Sequence, residues 1–255
     1  GVSLSALGAP DVGLVYPTEL IQRVYGIASS VGIPVVVDAD TGFGGPLNVM
    51  RLVRELELAG ASAIQIEDQV FPKRCGHEAG KRLISTQEMI AKISAALDAR
   101  TREDSVIIAR TDAASVFGID EAIRRGVRYA EAGADVIFVE SPKDGDELRR
   151  IPREIPAPTL CNMVEGGETP FLPARQLEEL GFKIVIYPNS LTRFFVKTGI
   201  RLLAQLKECG TTEGMWEEML DHSGLFSLFG YQEYVERETC YMSRGVRLES
   251  VTPTE

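Results

Sequence analysis

The chain has 255 residues, of which 44% are hydrophobic and 25% charged, with a formal net charge of −10. This composition is typical of a globular protein and argues against a disordered chain, a collagen-like repeat and a coiled coil. No run of about 18 uncharged apolar residues is present, so no transmembrane helix is expected. The negative charge argues against nucleic acids and anionic membranes as partners, since both bind clustered Lys and Arg.

The cysteines predict a reducing compartment. They are far apart in the chain and form no CxxC pair, which fits neither a disulfide framework nor a zinc site. We therefore expect a cytoplasmic protein. The four positions are Cys75, Cys161, Cys209 and Cys240.

Three segments repeat one pattern: an amphipathic helix, a glycine, and a short apolar strand that ends in a polar residue. The segments are 51–68, 122–141 and 174–190. The glycine follows the last helical residue, where a left-handed helix stop is favoured. The residues after it are rich in Ile, Val and Phe, as in strands that are buried on both faces. The glycines are Gly60, Gly133 and Gly181.

Three further strands are predicted at 33–40, 105–110 and 157–162. Six strands separated by helical segments predict a parallel sheet with helices outside, either a doubly wound sheet or a barrel. A doubly wound sheet would need a phosphate-binding loop, and the glycine-rich residues 41–48 match neither of the usual patterns.

Polar residues gather at the ends of the predicted strands, as they do at the C-terminal face of a barrel. We therefore predict an α/β fold of the TIM type, a (β/α)₈ barrel. These residues are Asp38, Asp40, Glu67, Asp68, Arg110, Asp112, Glu140, Asn162 and Asn189.

The predicted barrel is incomplete at its N-terminus, because six strands are found where eight are needed. We expect that an N-terminal piece precedes residue 1 or that the barrel closes irregularly. The barrel is assigned to residues 1–210 and a helical extension to 211–255. Helical segments at about 191–208, 212–221 and 228–242 exceed one barrel unit, which predicts packing on a partner subunit.

Three carboxylates predict a metal site. Side-chain alternation along a strand puts Asp38 and Asp40 on one side, and Glu67 ends the next strand. Such acids repel one another unless a cation lies between them, and few carboxylates with retained water suit Mg²⁺. The alternative is that the aspartates cap the following helices.

The segment Pro72–His77 combines a thiol with two fixed cations and an imidazole. Lys73, Arg74 and His77 should depress the pKa of Cys75, so that the thiol exchanges protons near neutrality. Gly76 gives the loop freedom to move, and long loops after barrel strands often act as lids. An ordinary basic surface loop with a chance cysteine is the alternative.

Arg110 ends an otherwise apolar strand and needs an anionic partner, either a substrate carboxylate or Asp112. Asn162 follows another strand end, where an ordinary turn explains the nearby glycines equally well. Phe138, Ile186 and Pro188 would form an apolar wall. Together with Mg²⁺ and the thiol loop, these groups suit a di- or tricarboxylate and an enolate formed from it.

Four motifs, DADTGFGG, IQIEDQVFPKRCGH, ARTDA and NMVEGGETP, strongly resemble the isocitrate lyase/phosphoenolpyruvate mutase superfamily. The resemblance runs from about residue 1 to about residue 245. KRCGH after the IED strand is specific to the lyase branch and a few relatives. Within the superfamily the chain resembles the short lyases of methylisocitrate and 2,3-dimethylmalate, and it also resembles carboxyphosphonoenolpyruvate mutase.

The resemblance implies a barrel that is typically tetrameric, with a terminal helix swapped onto a neighbouring subunit. It implies Mg²⁺, or alternatively Mn²⁺, on Asp38 and Asp40. Further implied roles are metal-bound waters on Glu67 and Asp11, substrate contacts by Arg110, Glu140 and Asn162, and a proton-donating Cys75 on a lid of residues 73–77.

The implied reaction is a retro-aldol cleavage of a 2-hydroxy di- or tricarboxylate to an α-keto acid, such as pyruvate, and a carboxylic acid. A phosphonate mutase or an oxaloacetate decarboxylase or hydrolase on the same scaffold is the alternative. Family members that hydrolyse oxaloacetate tend to have a serine where this chain has Pro188, which favours a lyase. A non-enzymatic binding barrel is disfavoured, since the matched acidic, Arg and Cys positions are present.

Overall fold

The computed structural model describes residues 1–74 and 80–249, with side chains to residue 244. It divides into two compact units, Gly1–Thr192 and Arg193–Glu255. The division falls shortly after the last strand, whereas the sequence suggested a boundary at residue 210.

The six predicted strands are present in the first unit, and each is shorter than or equal to its predicted segment. They are β1 (Val36–Asp38), β2 (Ala63–Glu67), β3 (Val106–Thr111), β4 (Val136–Val139), β5 (Thr159–Asn162) and β6 (Ile184–Ile186). They form one parallel sheet in chain order, which confirms the predicted parallel arrangement. The register places Glu67 beside Arg110 and Arg110 beside Phe138.

Helices connect the strands: α1 (Pro17–Ala28), α2 (Pro46–Leu58), α3 (Thr86–Ala99), α4 (Ala113–Phe117), α5 (Ile119–Glu131), α6 (Gly145–Glu154) and α7 (Ala174–Leu180). A five-residue π-helix, Ser3–Leu7, precedes them. The glycines predicted to stop helices have φ of 99°, 100° and 111° at Gly60, Gly133 and Gly181, which confirms left-handed stops. A Cβ at Gly60 would lie 2.6 Å from the Cβ of Ala28, so the position also needs a small residue.

Alternation along the strands creates two apolar layers. Outward side chains such as Ile66, Ile107 and Ile137 join the large core between sheet and helices. Inward side chains form a smaller cluster of Ala63, Ile108, Val136, Phe138 and Leu160. Burial on both faces explains the continuous apolar runs in the sequence.

The inner face changes character towards the strand ends. Glu67 and Arg110 lie two residues beyond Gln65 and Ile108 on the same face. The alternation of the strands therefore presents charged groups above an apolar floor.

The second unit is helical. It contains most of α8 (Ser190–Cys209), a 3₁₀-helix (Glu213–Glu218), α9 (His222–Leu228) and α10 (Tyr231–Glu249). Two predicted segments need correction. Residues 212–221 form only a 3₁₀-helix before α9 begins, and 228–242 is broken at Gly230, whose φ of 69° ends one helix before the next begins.

Many large apolar side chains of the second unit are exposed, and α8 has no buried residue. Among the described residues, no helix combines the length and the apolar character needed to cross a bilayer. The exposed side chains include Phe194, Phe195, Ile200, Leu203, Trp216, Leu228, Phe229 and Tyr234.

Candidate active site

Arg110 is the centre of a buried charged cluster at the C-terminal end of the sheet. Its Nε and Nη2 atoms donate to the two carboxylate oxygens of Asp112 at 3.0 and 3.1 Å. Nη2 also lies 3.3 Å from Glu140 Oε2, and Nε lies 3.4 Å from Glu67 Oε2. The predicted alternative partner, Asp112, is therefore in place, and two further acids border the same guanidinium.

The charges of this cluster shift its pKa values in opposite directions. Burial raises the pKa of Glu67 well above its ordinary value, against the effect of Arg110. For Asp112, burial alone would raise the pKa, but Arg110 and Lys81 hold it below its usual value. Lys81 Nζ lies 3.3 Å from Asp112 Oδ1. Asp112 is thus fixed as an anion, whereas Glu67 lacks a comparable cation of its own.

Glu140 and Asn162 form a hydrogen-bonded pair on the neighbouring strands. Asn162 Nδ2 donates to both carboxylate oxygens of Glu140, at 3.2 and 3.1 Å. Asn162 Oδ1 and Glu67 Oε1 are buried without a hydrogen-bond partner among the described residues. Unpaired buried acceptors are costly, so both atoms are suited to a ligand that brings a donor or a cation.

Phe138, which was predicted as part of an apolar wall of the pocket, packs against Arg110. Its side chain is fully buried, and its ring centre lies 5.1 Å from Arg110 Cζ, a cation–π contact. The inward direction of Phe138 places its ring beside the guanidinium, at the apolar floor of the site. Pro188 is half-buried and follows β6.

The predicted metal acids lie at the end of β1. The strand ends at Asp38, and Asp40 lies in a left-handed turn with φ of 48°, so strand alternation does not set its direction as predicted. Lys73 Nζ lies 2.6 Å from Asp11 Oδ1 and 2.9 Å from Asp40 Oδ1. These groups line a cavity of about 60 Å³.

The charge balance at this cavity favours a cation. Burial and the nearby Asp38 raise the pKa of Asp40 to about 6, although Lys73 acts in the opposite direction. The carboxylates raise the pKa of Lys73 despite its burial, so the ammonium stays charged. Negative charge from several acids is thus concentrated around one fixed cation.

The donor set fits a hard divalent cation, because it consists of carboxylate oxygens and includes the unpartnered Glu67 Oε1. Within the described part of the chain, no three acidic, His or Cys side chains are grouped closely enough to hold a metal ion. The ammonium of Lys73 lies between Asp11 and Asp40 instead. Binding of a metal there would require these side chains to rearrange around it.

The loop with the predicted proton donor is described in part. Cys75, Gly76 and His77 lie outside the described residues. Arg74, predicted to contact substrate, is exposed. Its backbone is held by the side chain of Gln69, which donates to Arg74 O at 2.9 Å and accepts from Arg74 N at 3.0 Å.

A buried network behind the site was not predicted from the sequence; it is formed by Asp68, Thr111, Arg125 and Tyr129. One signal was available. Arg125 follows Ala122 and precedes Tyr129 at helical spacing, so a charge lies on the apolar face of α5 and requires a buried partner.

A family model described as Phosphoenolpyruvate phosphomutase matches residues 1–207. The chain belongs to this family. It is 49% identical to 2,3-dimethylmalate lyase of Eubacterium barkeri over 94% of this chain and 83% of that protein. It is 46% identical to 2-methylisocitrate lyase of Aeropyrum pernix over 91% of this chain and 75% of that protein. The resemblance to the superfamily is confirmed, and these relatives of the family are lyases.

Solved structures of the superfamily share the fold. A crystal structure of 2,3-dimethylmalate lyase superposes with a TM-score of 0.88 at 35% identity, covering 94% of this chain and 80% of that chain. A structure of oxaloacetate acetylhydrolase with an inhibitor superposes with a TM-score of 0.88 at 30% identity, covering 94% of this chain and 82% of that chain. A structure of phosphonopyruvate hydrolase with oxalate and Mg²⁺ superposes with a TM-score of 0.82 at 31% identity, covering 94% of this chain and 83% of that chain. The predicted TIM-type α/β fold is confirmed by these neighbours.

Proposed function

We propose that this chain is a Mg²⁺-dependent carbon–carbon lyase that cleaves a 2-hydroxy di- or tricarboxylate to an α-keto acid and a carboxylic acid. The observation that carries the proposal is the buried guanidinium of Arg110 at the strand ends, bordered by the carboxylates of Glu67 and Glu140. Glu67 Oε1 and the nearby Asn162 Oδ1 have no hydrogen-bond partner among the described residues. Such a guanidinium is suited to a carboxylate ligand. The two lyases that are 49% and 46% identical support this choice within the family.

The metal would be held by Asp38 and Asp40, with Glu67 and Asp11 holding its water ligands. Bound there, Mg²⁺, or alternatively Mn²⁺, would lower the energy of the alkoxide of a hydroxy acid. Support comes from the oxygen donors gathered at this end of the sheet and from a family relative solved with oxalate and Mg²⁺. Lys73 would leave its position between Asp11 and Asp40 to make room.

Arg110 would bind and orient the substrate carboxylate. Asp112 holds two of its nitrogen donors, which leaves Nη1 as the donor group for substrate. Glu140 and Asn162 would contact the substrate or its metal-bound waters, and the unpartnered Asn162 Oδ1 is suited to accept a hydrogen bond there. Pro188 would contribute to the apolar side of the pocket.

Cys75 would act as the general acid. The C2 hydroxyl loses its proton to a base, the C2–C3 bond breaks, and C2 becomes the carbonyl carbon of the α-keto acid. The electron pair of the broken bond passes into the departing carboxylate as an aci-anion, and the Cys75 thiol delivers a proton to the carbon. Lys73, Arg74 and His77 in the same segment would keep the thiol acidic enough to donate, and Gly76 would give the segment the freedom to approach.

A second reaction class, hydrolysis or decarboxylation of oxaloacetate, is the competing outcome. Oxaloacetate acetylhydrolase superposes as well as the dimethylmalate lyase structure, with a TM-score of 0.88. The sequence identity is lower, at 30% against 35%. The test must therefore include oxaloacetate.

We also propose that the chain assembles as a homotetramer, in which the exposed apolar side chains of α8 to α10 are covered by a second copy. Exposed apolar side chains at this density are a frequent mark of interfaces.

The free state of the described cysteines, Cys161, Cys209 and Cys240, supports the cytoplasm as the compartment of the protein.

The proposed reaction is tested by α-keto acid release from methylisocitrate, isocitrate, dimethylmalate and oxaloacetate with Mg²⁺. We expect release from a branched hydroxy acid, abolished by EDTA and by Cys75→Ala. Cys240→Ala, which changes an exposed thiol of α10, is the matched control and should leave the rate unchanged. Consumption of oxaloacetate alone, or of none of the four, would contradict the lyase proposal.

A further inference from the structure

A second buried polar cluster lies directly behind the Arg110 site. Asp68 follows Glu67 in the chain, so its side chain leaves β2 on the opposite face, towards α5. Its carboxylate accepts four hydrogen bonds: from Thr111 Oγ1 at 2.7 Å, Asp112 N at 3.0 Å, Arg125 Nη1 at 2.9 Å and Tyr129 Oη at 2.8 Å.

The cluster has no access to a ligand on the inner face. The side chains of Asp68, Thr111 and Tyr129 are fully buried, and Arg125 is 6% exposed. Arg125 is fixed further by Glu121 Oε1 and by the backbone oxygen of Ile84. Any effect of this cluster on substrate must therefore pass through the residues that it holds.

One path leads from the cluster to the site. Asp68 holds the backbone of Asp112, and the carboxylate of Asp112 in turn holds Nε and Nη2 of Arg110. An arginine side chain has many rotamers, and a carboxylate that accepts two hydrogen bonds from its guanidinium selects one of them. The position of Asp112 thus decides where the third nitrogen of Arg110 points.

Thr111 strengthens this path. Its hydroxyl donates to Asp68 and accepts from the backbone N–H of Ala113 at 3.2 Å. The chain on both sides of Asp112 is thereby tied to one carboxylate. Lys81 holds the same Asp112 carboxylate from another direction, at 3.3 Å.

We propose that Asp68 and Thr111 are positioning residues, which fix Asp112 and through it aim the Arg110 guanidinium at the substrate carboxylate. The inference rests on the proposed function, because it deepens the account of how that site binds its ligand. A buried ion pair can also serve stability alone. The test must separate the two roles.

Thr111→Val removes the hydroxyl at nearly constant volume, and Thr111→Ser keeps it. Thr101→Val is the matched control, because Thr101 Oγ1 also donates to a largely buried carboxylate, Glu57 Oε2, at 2.6 Å. Glu57 and Thr101 precede β2 and β3 respectively, so they lie at the end of the sheet opposite the site.

Two readouts are needed. The first is the rate at which phenylglyoxal modifies Arg110, located by mass spectrometry, which requires no substrate. The second is the split between KM and kcat for the hydroxy acid that the enzyme cleaves. Each variant is measured at the same number of degrees below its own melting temperature, so that a difference in stability between variants does not explain a difference in either readout.

We expect Thr111→Val to speed modification of Arg110 severalfold and to raise KM about tenfold, with a smaller change in kcat. Thr111→Ser should restore both values, and Thr101→Val should match the wild type. Should Thr111→Val not fold, Tyr129→Phe removes the hydrogen bond to Asp68, together with a longer one from Arg125 Nη1 at 3.4 Å, and should change both readouts in the same direction.

Modification of Arg110 at the wild-type rate in Thr111→Val, or an equal increase in Thr101→Val, would overturn the inference. These results differ from a failure of the proposed function, in which the wild type cleaves no hydroxy acid. In that case the modification rates still decide whether Asp68 and Thr111 position Arg110.

Discussion

The strand ends of the first unit and the helices of the second unit differ in which side chains they bury and which they expose. At the strand ends, charged groups are buried and paired with one another around Arg110 and Asp68. In the second unit, large apolar side chains such as Phe195 and Leu203 are exposed. Buried charge and exposed apolar surface are both costly for an isolated chain. The buried charge around Arg110 therefore points to a ligand, and the exposed apolar surface points to a partner.

The largest effect is expected from Arg110→Lys. The single ammonium group of lysine cannot bind both carboxylate oxygens of Asp112 and also reach the substrate carboxylate. We therefore expect kcat/KM to fall about 10³-fold. Steady-state kinetics measures the loss, and circular dichroism checks that the fold is retained. Arg150→Lys changes an arginine that pairs with Asp120 and Glu154 on the surface, and it should keep full activity. Similar losses in both variants would contradict the role of Arg110.

The next effect concerns pH. The pKa of Asp40 is raised to about 6, so the folded protein binds more protons than the unfolded chain between about pH 4 and 6. Stability of the metal-free protein should therefore decrease as the pH rises through this window. A metal must displace this proton, so the apparent Kd for Mg²⁺ should rise about tenfold for each pH unit below 6.

Calorimetric titration with Mg²⁺ between pH 5 and pH 8 measures this dependence. Asp144→Asn, which changes an exposed helix cap, should give the same profile as the wild type. A constant Kd across the range would show that Asp40 does not bind the metal.

A smaller effect is expected from Lys73→Met. The ammonium neutralises Asp11 and Asp40, so its loss should lower the melting temperature of the metal-free protein and tighten Mg²⁺ binding severalfold. Calorimetry and thermal unfolding with and without Mg²⁺ measure both changes. Lys183→Met removes an exposed lysine and is the control. Weaker Mg²⁺ binding in Lys73→Met would mean that Lys73 supports the metal site instead of competing for it.

The smallest change is expected for the second unit. Phe195→Glu with Leu203→Glu puts charges on the exposed apolar side of α8 and should lower the mass in solution by a factor of about two to four. Analytical ultracentrifugation measures it. Glu208→Gln, at the end of the same helix, is a control that should keep the wild-type mass. An unchanged mass in the double variant would show that α8 is not part of an interface.

The strands and their order could be predicted because their signals are local. Three of the apolar runs follow a glycine, Gly60, Gly133 or Gly181, whose left-handed φ ends the helix before it. Arg110, Glu67 and Asn162 could be found because polar residues end these runs. The break at Gly230 was missed, because a glycine within a helical pattern marks a stop only in some contexts.

The network behind the site could not be predicted in full. Asp68 and Arg125 are 57 residues apart, and their pairing depends on how α5 packs on the sheet. The direction of Asp40 was also misjudged, since β1 ends two residues earlier and the turn sets its direction. Local patterns predict which residues reach the strand ends, and tertiary packing decides which of them pair.

The most direct test of the central claim is proton NMR of the reaction in D₂O with Mg²⁺ and a branched 2-hydroxy acid. We expect equal amounts of an α-keto acid and a carboxylic acid, with one deuterium on the carbon that was released from the broken bond. Unchanged hydroxy acids, together with turnover of oxaloacetate or a phosphonate, would contradict a carbon–carbon lyase at the Arg110 site.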